Sequence, residues 1–331
     1  MTQILASHPL IAAALALGGG VLALVWGADR FVAGAAALAR GLGVSTLVIG
    51  LTVVAIGTSA PEILVSTMAA LAGNPELAMG NAIGSNIANI GLILGVTGLV
   101  APLTVRSATL RREFPVLLLV MLGTLLLLAD GRLGRLDGAL LVAAMVALLA
   151  WLVRTARRGG DDALQAELEA EIPSEMRPGR ALLLTVAGLV VLLGGSRAIV
   201  WGGVAIATHL GVSELVIGLT IVAVGTSLPE LASSVAGALR GEPDIAIGNV
   251  IGSNMFNLLA VLPVAGLVAP GPVPGDLLAR DLPVMNAITL ALFVMAYGLR
   301  GPGRIGRGEG ALLLAAFTAY LGWLYHQGSA P

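Results

Sequence analysis

Residues 47–62 read LVIGLTVVAIGTSAPE, and residues 215–230 read LVIGLTIVAVGTSLPE. The two stretches differ at three of sixteen positions (Val53 against Ile221, Ile56 against Val224, Ala60 against Leu228), and every pair lies 168 residues apart. The match resumes at the same offset in GNAIGSNIAN, residues 80–89, and GNVIGSNMFN, residues 248–257. Each copy carries one carboxylate, Glu62 or Glu230, in an otherwise apolar stretch. A charged group inside a membrane is costly and marks an ion site or pathway. Two such groups, duplicated with their polar neighbours, predict one cation site built from two halves.

The composition calls for a membrane protein. Mean hydropathy is +0.96, 57% of residues are hydrophobic and only 11% are charged, against about 25% charged in soluble domains. The 45 glycines suit close helix packing in lipid. There is no cysteine, which excludes disulfides, thiolate metal sites and cysteine nucleophiles. No basic cluster with interleaved aromatics points to nucleic acid. The first basic residue is Arg30, so residues 8–27 read as part of a retained first helix rather than a cleaved signal.

Apolar runs between Gly, Pro and charged punctuation predict helices at 8–39, 43–72, 76–101, 110–129, 135–156, 181–207, 211–240, 244–269, 281–299 and 309–326. The expected fold is all-α and membrane-integral, with ten transmembrane helices in two five-helix repeats. Residues 1–156 form the first repeat (motifs 50–62 and 80–89), 157–180 a cytoplasmic linker, and 181–331 the second repeat (motifs 218–230 and 248–257). An odd number of helices per repeat inverts the second copy in the membrane. The basic residues agree, and all 18 are Arg. With both termini outside, loops on the inner side hold Arg40, Arg106, Arg111, Arg112, Arg154, Arg157, Arg158, Arg177, Arg180, Arg240, Arg300, Arg304 and Arg307, while outer loops hold Arg132, Arg135 and Arg280. That asymmetry satisfies the positive-inside rule; the expected location is the cytoplasmic membrane. The acids of the linker lack the spacing of an EF-hand loop, so it reads as a solvated connection.

The motifs supply oxygen. Pro61 lacks an N–H, so the carbonyl of Gly57 loses its helical partner, and Pro229 does the same to Gly225. Non-helical backbone at membrane depth survives only where protein, water or an ion satisfies it. Thr58, Ser59 and Glu62 add hydroxyl and carboxylate oxygens, as do Thr226, Ser227 and Glu230 in the second copy. Ser85 and Asn89 are four residues apart and share a helix face, as do Ser253 and Asn257. Gly80 and Gly84, like Gly248 and Gly252, leave smooth faces for close packing. Four helices can thus bring two carboxylates, two amides and several hydroxyls to one point. Such an all-oxygen set suits hard cations such as Ca2+ and Na+. Asn86 and Asn254 read equally as glue between helices, and Asn81, Asn249, Pro61 and Pro229 as supports beside the site.

GTSAPE with GSNIAN, and GTSLPE with GSNMFN, resemble the two α-repeats of the cation/calcium exchanger superfamily, in its prokaryotic sodium/calcium exchanger form. The resemblance spans roughly 27–115 and 195–283. It implies inverted five-helix repeats and alternating access. It also implies ion ligation by Glu62, Glu230, Thr58, Thr226, Ser59, Ser227, Ser85, Ser253, Asn89 and Asn257, with backbone carbonyls near Ala55 and Ala223. Some members carry Asp where this chain has Asn257, so the formal charge of the site here is that of the two glutamates alone.

The expected function is therefore Ca2+ for Na+ antiport. The lipid bilayer and the transported ions are the expected partners, with no resident cofactor and no obligate protein partner. A proton-coupled divalent-cation exchanger of the same fold is the alternative. An intramembrane hydrolase lacks a cysteine nucleophile and a histidine cluster, since only His8, His209 and His326 exist, near predicted helix ends. A channel needs no inverted repeat. The first helix and 181–207, Gly-rich and without motif ligands, are the expected mobile pair. Asp29 and Arg197 occupy equivalent positions on them and are expected to pair.

Overall fold

A computed structural model describes residues 9–41, 59–105, 108–156, 176–212, 214–239, 243–297 and 303–328. The described residues are predominantly helical. In chain order the helices are α1 (Pro9–Gly41), α2 (Ala60–Leu71), α3 (Pro75–Ala88), α4 (Gly95–Val100), α5 (Ala108–Leu128), α6 (Arg135–Ala156), α7 (Pro178–Leu210), α8 (Glu214–Ile217), α9 (Ala223–Thr226), α10 (Leu228–Leu239), α11 (Pro243–Phe256), α12 (Leu262–Val268), α13 (Leu282–Tyr297) and α14 (Arg307–Gly328). Most expected boundaries lie within three residues of these. Position 211 ends α7 because Gly211 adopts the left-handed conformation (φ 65°), which stops the helix. Of the expected linker, residues 157–175 lie outside the described residues, and α7 begins inside its last three positions.

Among the described residues, five helical stretches are long and apolar enough to cross a membrane: Leu10–Gly27, Pro75–Val100, Pro178–Ile206, Ile247–Val268 and Leu277–Met295. Their burial sorts them. The windows in α3–α4 and α11–α12 are each 78% buried, whereas those in α1 and α7 are only 22% and 33% buried. The two GSN-bearing helices therefore form the centre, and α1 and α7 lie on the outside.

Both central helices loosen at equivalent points. A π-helical segment, Asn89–Leu94, joins α3 to α4, and another, Asn257–Val261, joins α11 to α12. The first residue of each segment is the motif asparagine. The wider turn is a local departure from regular helix that recurs at functional sites. Further π-helical segments lie at Gly218–Val222 and Leu277–Asp281.

The expectation of an all-α chain needs one correction. Four short strands, β1 (Leu103–Val105), β2 (Arg132–Leu133), β3 (Gly271–Pro272) and β4 (Gly303–Ile305), form two antiparallel pairs, β1 with β4 and β2 with β3. Two or three residues are too few to show an alternating pattern. Each pair joins one half of the chain to the other. Helix packing does the same. A Cβ placed on Gly310 of α14 would lie 2.8 Å from the carbonyl oxygen of Gly95 in α4, and one on Gly138 of α6 would lie 3.0 Å from that of Pro263 in α12. The last helix of each half thus seats against the central helix of the other.

The two outer helices run antiparallel on a glycine ladder. Its rungs are Ala13 with Gly202, Gly20 with Gly195, Gly27 with Gly188, and Gly34 with Ala181. A Cβ added at Gly20, Gly27, Gly34, Gly195 or Gly202 would come within 2.5–2.9 Å of the opposite helix's backbone. The rungs recur every seven residues on each helix, so the small residues stay on one face and the helices can approach closely. The expected packing of these two helices is present.

Their register corrects the expected ion pair. It sets Arg197 level with Gly18 and residue 29 level with Val186. The backbone from Gly18 to position 29 rises about 16 Å at 1.5 Å per residue, too far for a direct pair. Arg197 is exposed, and the side chain of Asp29 lies outside the described residues. The exchange of residue numbers by 168 places equivalent positions at opposite ends of the ladder unless they sit near its middle, which is why sequence equivalence misled here.

Candidate cation site

α2 begins at Ala60 and α10 at Leu228, each preceded by a serine, Ser59 or Ser227, in non-helical turn geometry. Pro61 and Pro229 fall in the first turn, where a missing N–H costs nothing because no intrahelical partner exists there. Glu62 and Glu230 also sit in the first turn. The orphan N–H groups and positive end of the helix dipole favour a carboxylate at that place. In both copies the described serine, proline and glutamate thus set an acid at the start of a helix.

α3 packs on α2 and α11 on α10, while α3 also meets α9 and the π-helical segment after α11. Gly84 makes room for a further approach, that of the π-helical segment Gly218–Val222: a Cβ there would lie 2.6 Å from Cα of Leu219. Ser59, Glu62, Ser85, Asn86, Asn89, Thr226, Ser227, Glu230, Ser253, Asn254 and Asn257 are all at most 5% exposed. Thr58 and the Ala55 carbonyl lie outside the described residues. The Ala223 carbonyl accepts from the Thr226 hydroxyl at 3.3 Å and from the Ser227 amide at 3.1 Å, so it is part of the turn.

Contacts cross between the halves. Ser227 Oγ donates to Glu62 Oε1 at 3.3 Å, and Thr226 Oγ1 donates to Asn81 Oδ1 at 3.3 Å. Ser253 bonds to Glu230, whose carboxylate also feels that of Glu62. Asn89 Nδ2 donates to Asn254 Oδ1 at 3.0 Å, and Asn257 Nδ2 donates to Asn86 Oδ1 at 3.2 Å. These last two bonds are the same bond written twice, since each residue of one is 168 positions from a residue of the other.

Seven buried side-chain atoms among the described residues have no hydrogen-bond partner. Six belong to this site: Ser59 Oγ, Glu62 Oε2, Ser85 Oγ, Asn89 Oδ1, Glu230 Oε2 and Asn257 Oδ1. All six are oxygens. A buried polar atom without a partner costs about 1–3 kcal/mol, more for a charged group, so six together are unstable unless something fills the gap. A hard cation coordinates oxygens of these three kinds. The donor set fits Ca2+ or Na+, and among the described residues no ion pair joins a basic side chain to either glutamate.

Two supports, Ser66 and Ser234, escaped the sequence reading; each accepts from an asparagine that the sequence did single out. Asn81 Nδ2 donates to the carbonyl of Glu62 at 3.2 Å and to Ser66 Oγ at 3.0 Å, and Asn249 Nδ2 donates to Ser234 Oγ at 3.4 Å. Ser66 and Ser234 lie one helical turn past the glutamates and also differ by 168, so the repeat extended further than the motif boundaries chosen for it.

The model of the family described as "Sodium/calcium exchanger protein" matches residues 12–154 and 180–326. The chain belongs to the sodium/calcium exchanger family. That membership makes it a multi-pass membrane cation exchanger rather than an enzyme. CaxA of Alkalimonas amylolytica is 50% identical over 302 residues, covering 91% of this chain and 95% of its own. Sodium/calcium exchanger MaX1 of Methanosarcina acetivorans is 33% identical, covering 93% of this chain and 97% of its own. A solved structure of the sodium–calcium exchanger NCX_Mj soaked with Na+ and Sr2+ superposes with a TM-score of 0.67 at 34% identity, over 95% of this chain and 98% of that one.

Proposed function

We propose that this chain exchanges Ca2+ for Na+ across the cytoplasmic membrane by alternating access, with the two ions competing for one set of oxygens between the repeats. The observation that carries the reading is the group of six buried, unpartnered oxygens contributed by both halves. Two glutamates balance one Ca2+, and the same carboxylates, with hydroxyl and amide help, serve Na+ in the other half-cycle. Glu62, Glu230, Thr58, Thr226, Ser59, Ser227, Ser85, Ser253, Asn89 and Asn257 are the proposed ligands. The names of MaX1 and NCX_Mj support both ions.

The proposed topology is ten spans in two inverted repeats with both termini outside. It is supported by the exchange of strands and last helices between the halves and by the asymmetry of the arginines. The poorly buried α1 and α7, tied to each other by backbone contacts, are the proposed moving pair; a rigid element rocking past a fixed site is a recurrent transporter design.

The proton-coupled reading draws on the proximity of Glu62 and Glu230, since two buried acids side by side can hold a proton in place of a second cation. Proteoliposomes loaded with Na+ separate the two. Under Na+ coupling an outward Na+ gradient drives 45Ca2+ uptake, and Na+ on the Ca2+ side inhibits it. Uptake indifferent to Na+ and driven by an imposed pH gradient would replace this reading with the proton-coupled one.

A further inference from the structure

A ligating asparagine has a right and a wrong way round. Its amide offers an oxygen on one side and two N–H donors on the other, and the N–H side repels a cation. Asn89 and Asn257 both keep their oxygens unpartnered and commit their nitrogens elsewhere. Two short chains of hydrogen bonds impose this choice, and each chain ends on a group that can only accept.

The first starts at Met285 in α13. A thioether has no hydrogen to give, so Asn86 must turn its Nδ2 toward Met285 Sδ, 3.4 Å away. Asn86 Oδ1 then faces Asn257, which must present Nδ2, at 3.2 Å. That leaves Asn257 Oδ1 for the site. The second starts at the backbone carbonyl of Asn86, which likewise only accepts. Asn254 Nδ2 donates to it at 3.5 Å, Asn254 Oδ1 faces Asn89, and Asn89 presents Nδ2 at 3.0 Å. Asn89 Oδ1 is left for the site. All four asparagines are about 1% exposed, so water does not compete for these bonds.

We propose that Asn86 and Asn254 are positioning residues that hold Asn257 and Asn89, respectively, oxygen-first toward the transported cation. This rests on the cation-site reading above. It assigns to the asparagine of each GSN a role in ion affinity that helix packing alone would not require. The two chains are independent: replacing the Asn86 side chain removes the acceptor for Asn257 but keeps the backbone carbonyl on which the Asn254 chain ends.

The test uses the full chain in proteoliposomes and reads 45Ca2+ uptake against Ca2+ concentration. Asn86→Leu keeps the branched shape of the side chain, though not its volume, and removes the acceptor, so Asn257 is free to turn. The apparent KM for Ca2+ should rise about tenfold, the factor a lost buried hydrogen bond carries, with kcat little changed. The same substitution made on Asn257→Asp should change KM less than twofold, because a carboxylate has oxygen on both sides and no wrong orientation. Made on Asn89→Asp, it should keep its tenfold effect. Asn254→Leu should behave in the converse way, silent on Asn89→Asp and effective on Asn257→Asp. Should Asn86→Leu fail to fold, the Asn254 arm and Met285→Leu test the idea, the latter a volume-conserving change with an expected rise of two- to threefold in KM. An equal KM change in every background means a structural role and overturns the proposal. So does an unchanged KM in the single variants. Absence of Ca2+-dependent uptake by the wild-type protein overturns the cation-site reading itself, and this inference with it.

Discussion

Gly194 and Gly195 are adjacent in α7 and should respond oppositely to the same substitution. A Cβ on Gly194 would meet nothing within 4 Å. A Cβ on Gly195 would lie 2.8 Å from the carbonyl oxygen of Gly20 and 3.0 Å from the amide nitrogen of Leu24. Both Gly→Ala changes gain the same helix propensity, about 1 kcal/mol. Their difference is therefore the steric term alone. The atoms struck at Gly195 are backbone, so no rotamer change relieves them. The helices must part by roughly half an ångström to restore ordinary contact, and overpacking of this kind costs about 1–3 kcal/mol. Gly194→Ala should be neutral or stabilising, and Gly195→Ala should be less stable than it by that amount. Thermal unfolding of both purified variants in one detergent, at one concentration, measures the difference. Equal midpoints, or a higher midpoint for Gly195→Ala, would refute the ladder as a backbone-to-backbone contact.

Three further outcomes are expected. Glu62→Gln and Glu230→Gln each remove half of the site's formal charge; a unit charge 4 Å from a divalent ion contributes about 8 kcal/mol of gross attraction at an effective dielectric of 20, so either change should abolish Ca2+ exchange at matched protein levels, and wild-type uptake from both would dissolve the shared site. Asp29→Asn and Arg197→Gln should have additive effects on expression and transport, since the register separates them, and a coupling above about 0.5 kcal/mol in the double-mutant cycle would restore the pairing. Arg280 and Asp281 form a buried pair, Nε to Oδ1 at 2.7 Å, with Tyr320 of α14 donating to Asp281 Oδ1 at 2.9 Å and Gln327 accepting from Arg280; Arg280→Gln should cost about 3–5 kcal/mol by stranding Asp281, and adding Asp281→Asn should recover part of it, as thermal unfolding would report.

The sequence made legible whatever the duplication touched. Glu62, Glu230, Ser59, Ser227, Ser85, Ser253, Asn89 and Asn257 stand together because the same local rules act twice: a proline starts a helix, and a four-residue spacing keeps two polar groups on one face. Other features were present in the letters but unread. The glycine ladder repeats every seven residues in both halves, and Ser66 with Ser234 keeps the same offset as the motifs. A third group was beyond reach. Which end of an amide faces the site depends on Met285, a residue with Leu117 at the equivalent position, so no internal comparison exposes it. The two strand pairs join residues nearly 140 to 200 positions apart, and nothing local in either partner announces the other. The Asp29–Arg197 expectation failed because sequence equivalence was read as spatial proximity.

The exchange of parts between the halves sets an order in time. During synthesis Leu103–Val105 is made early and has no strand to pair with until Gly303–Ile305 follows. Gly91 and Gly95, on the central helix behind the site, likewise wait for Phe317 and Leu314 of α14. The central helix that packs beside Glu62 therefore stays uncovered on one side until α14 has been made. Each half can enter the bilayer as it emerges, but the packing behind the first GSN helix is completed only by a helix from the other half.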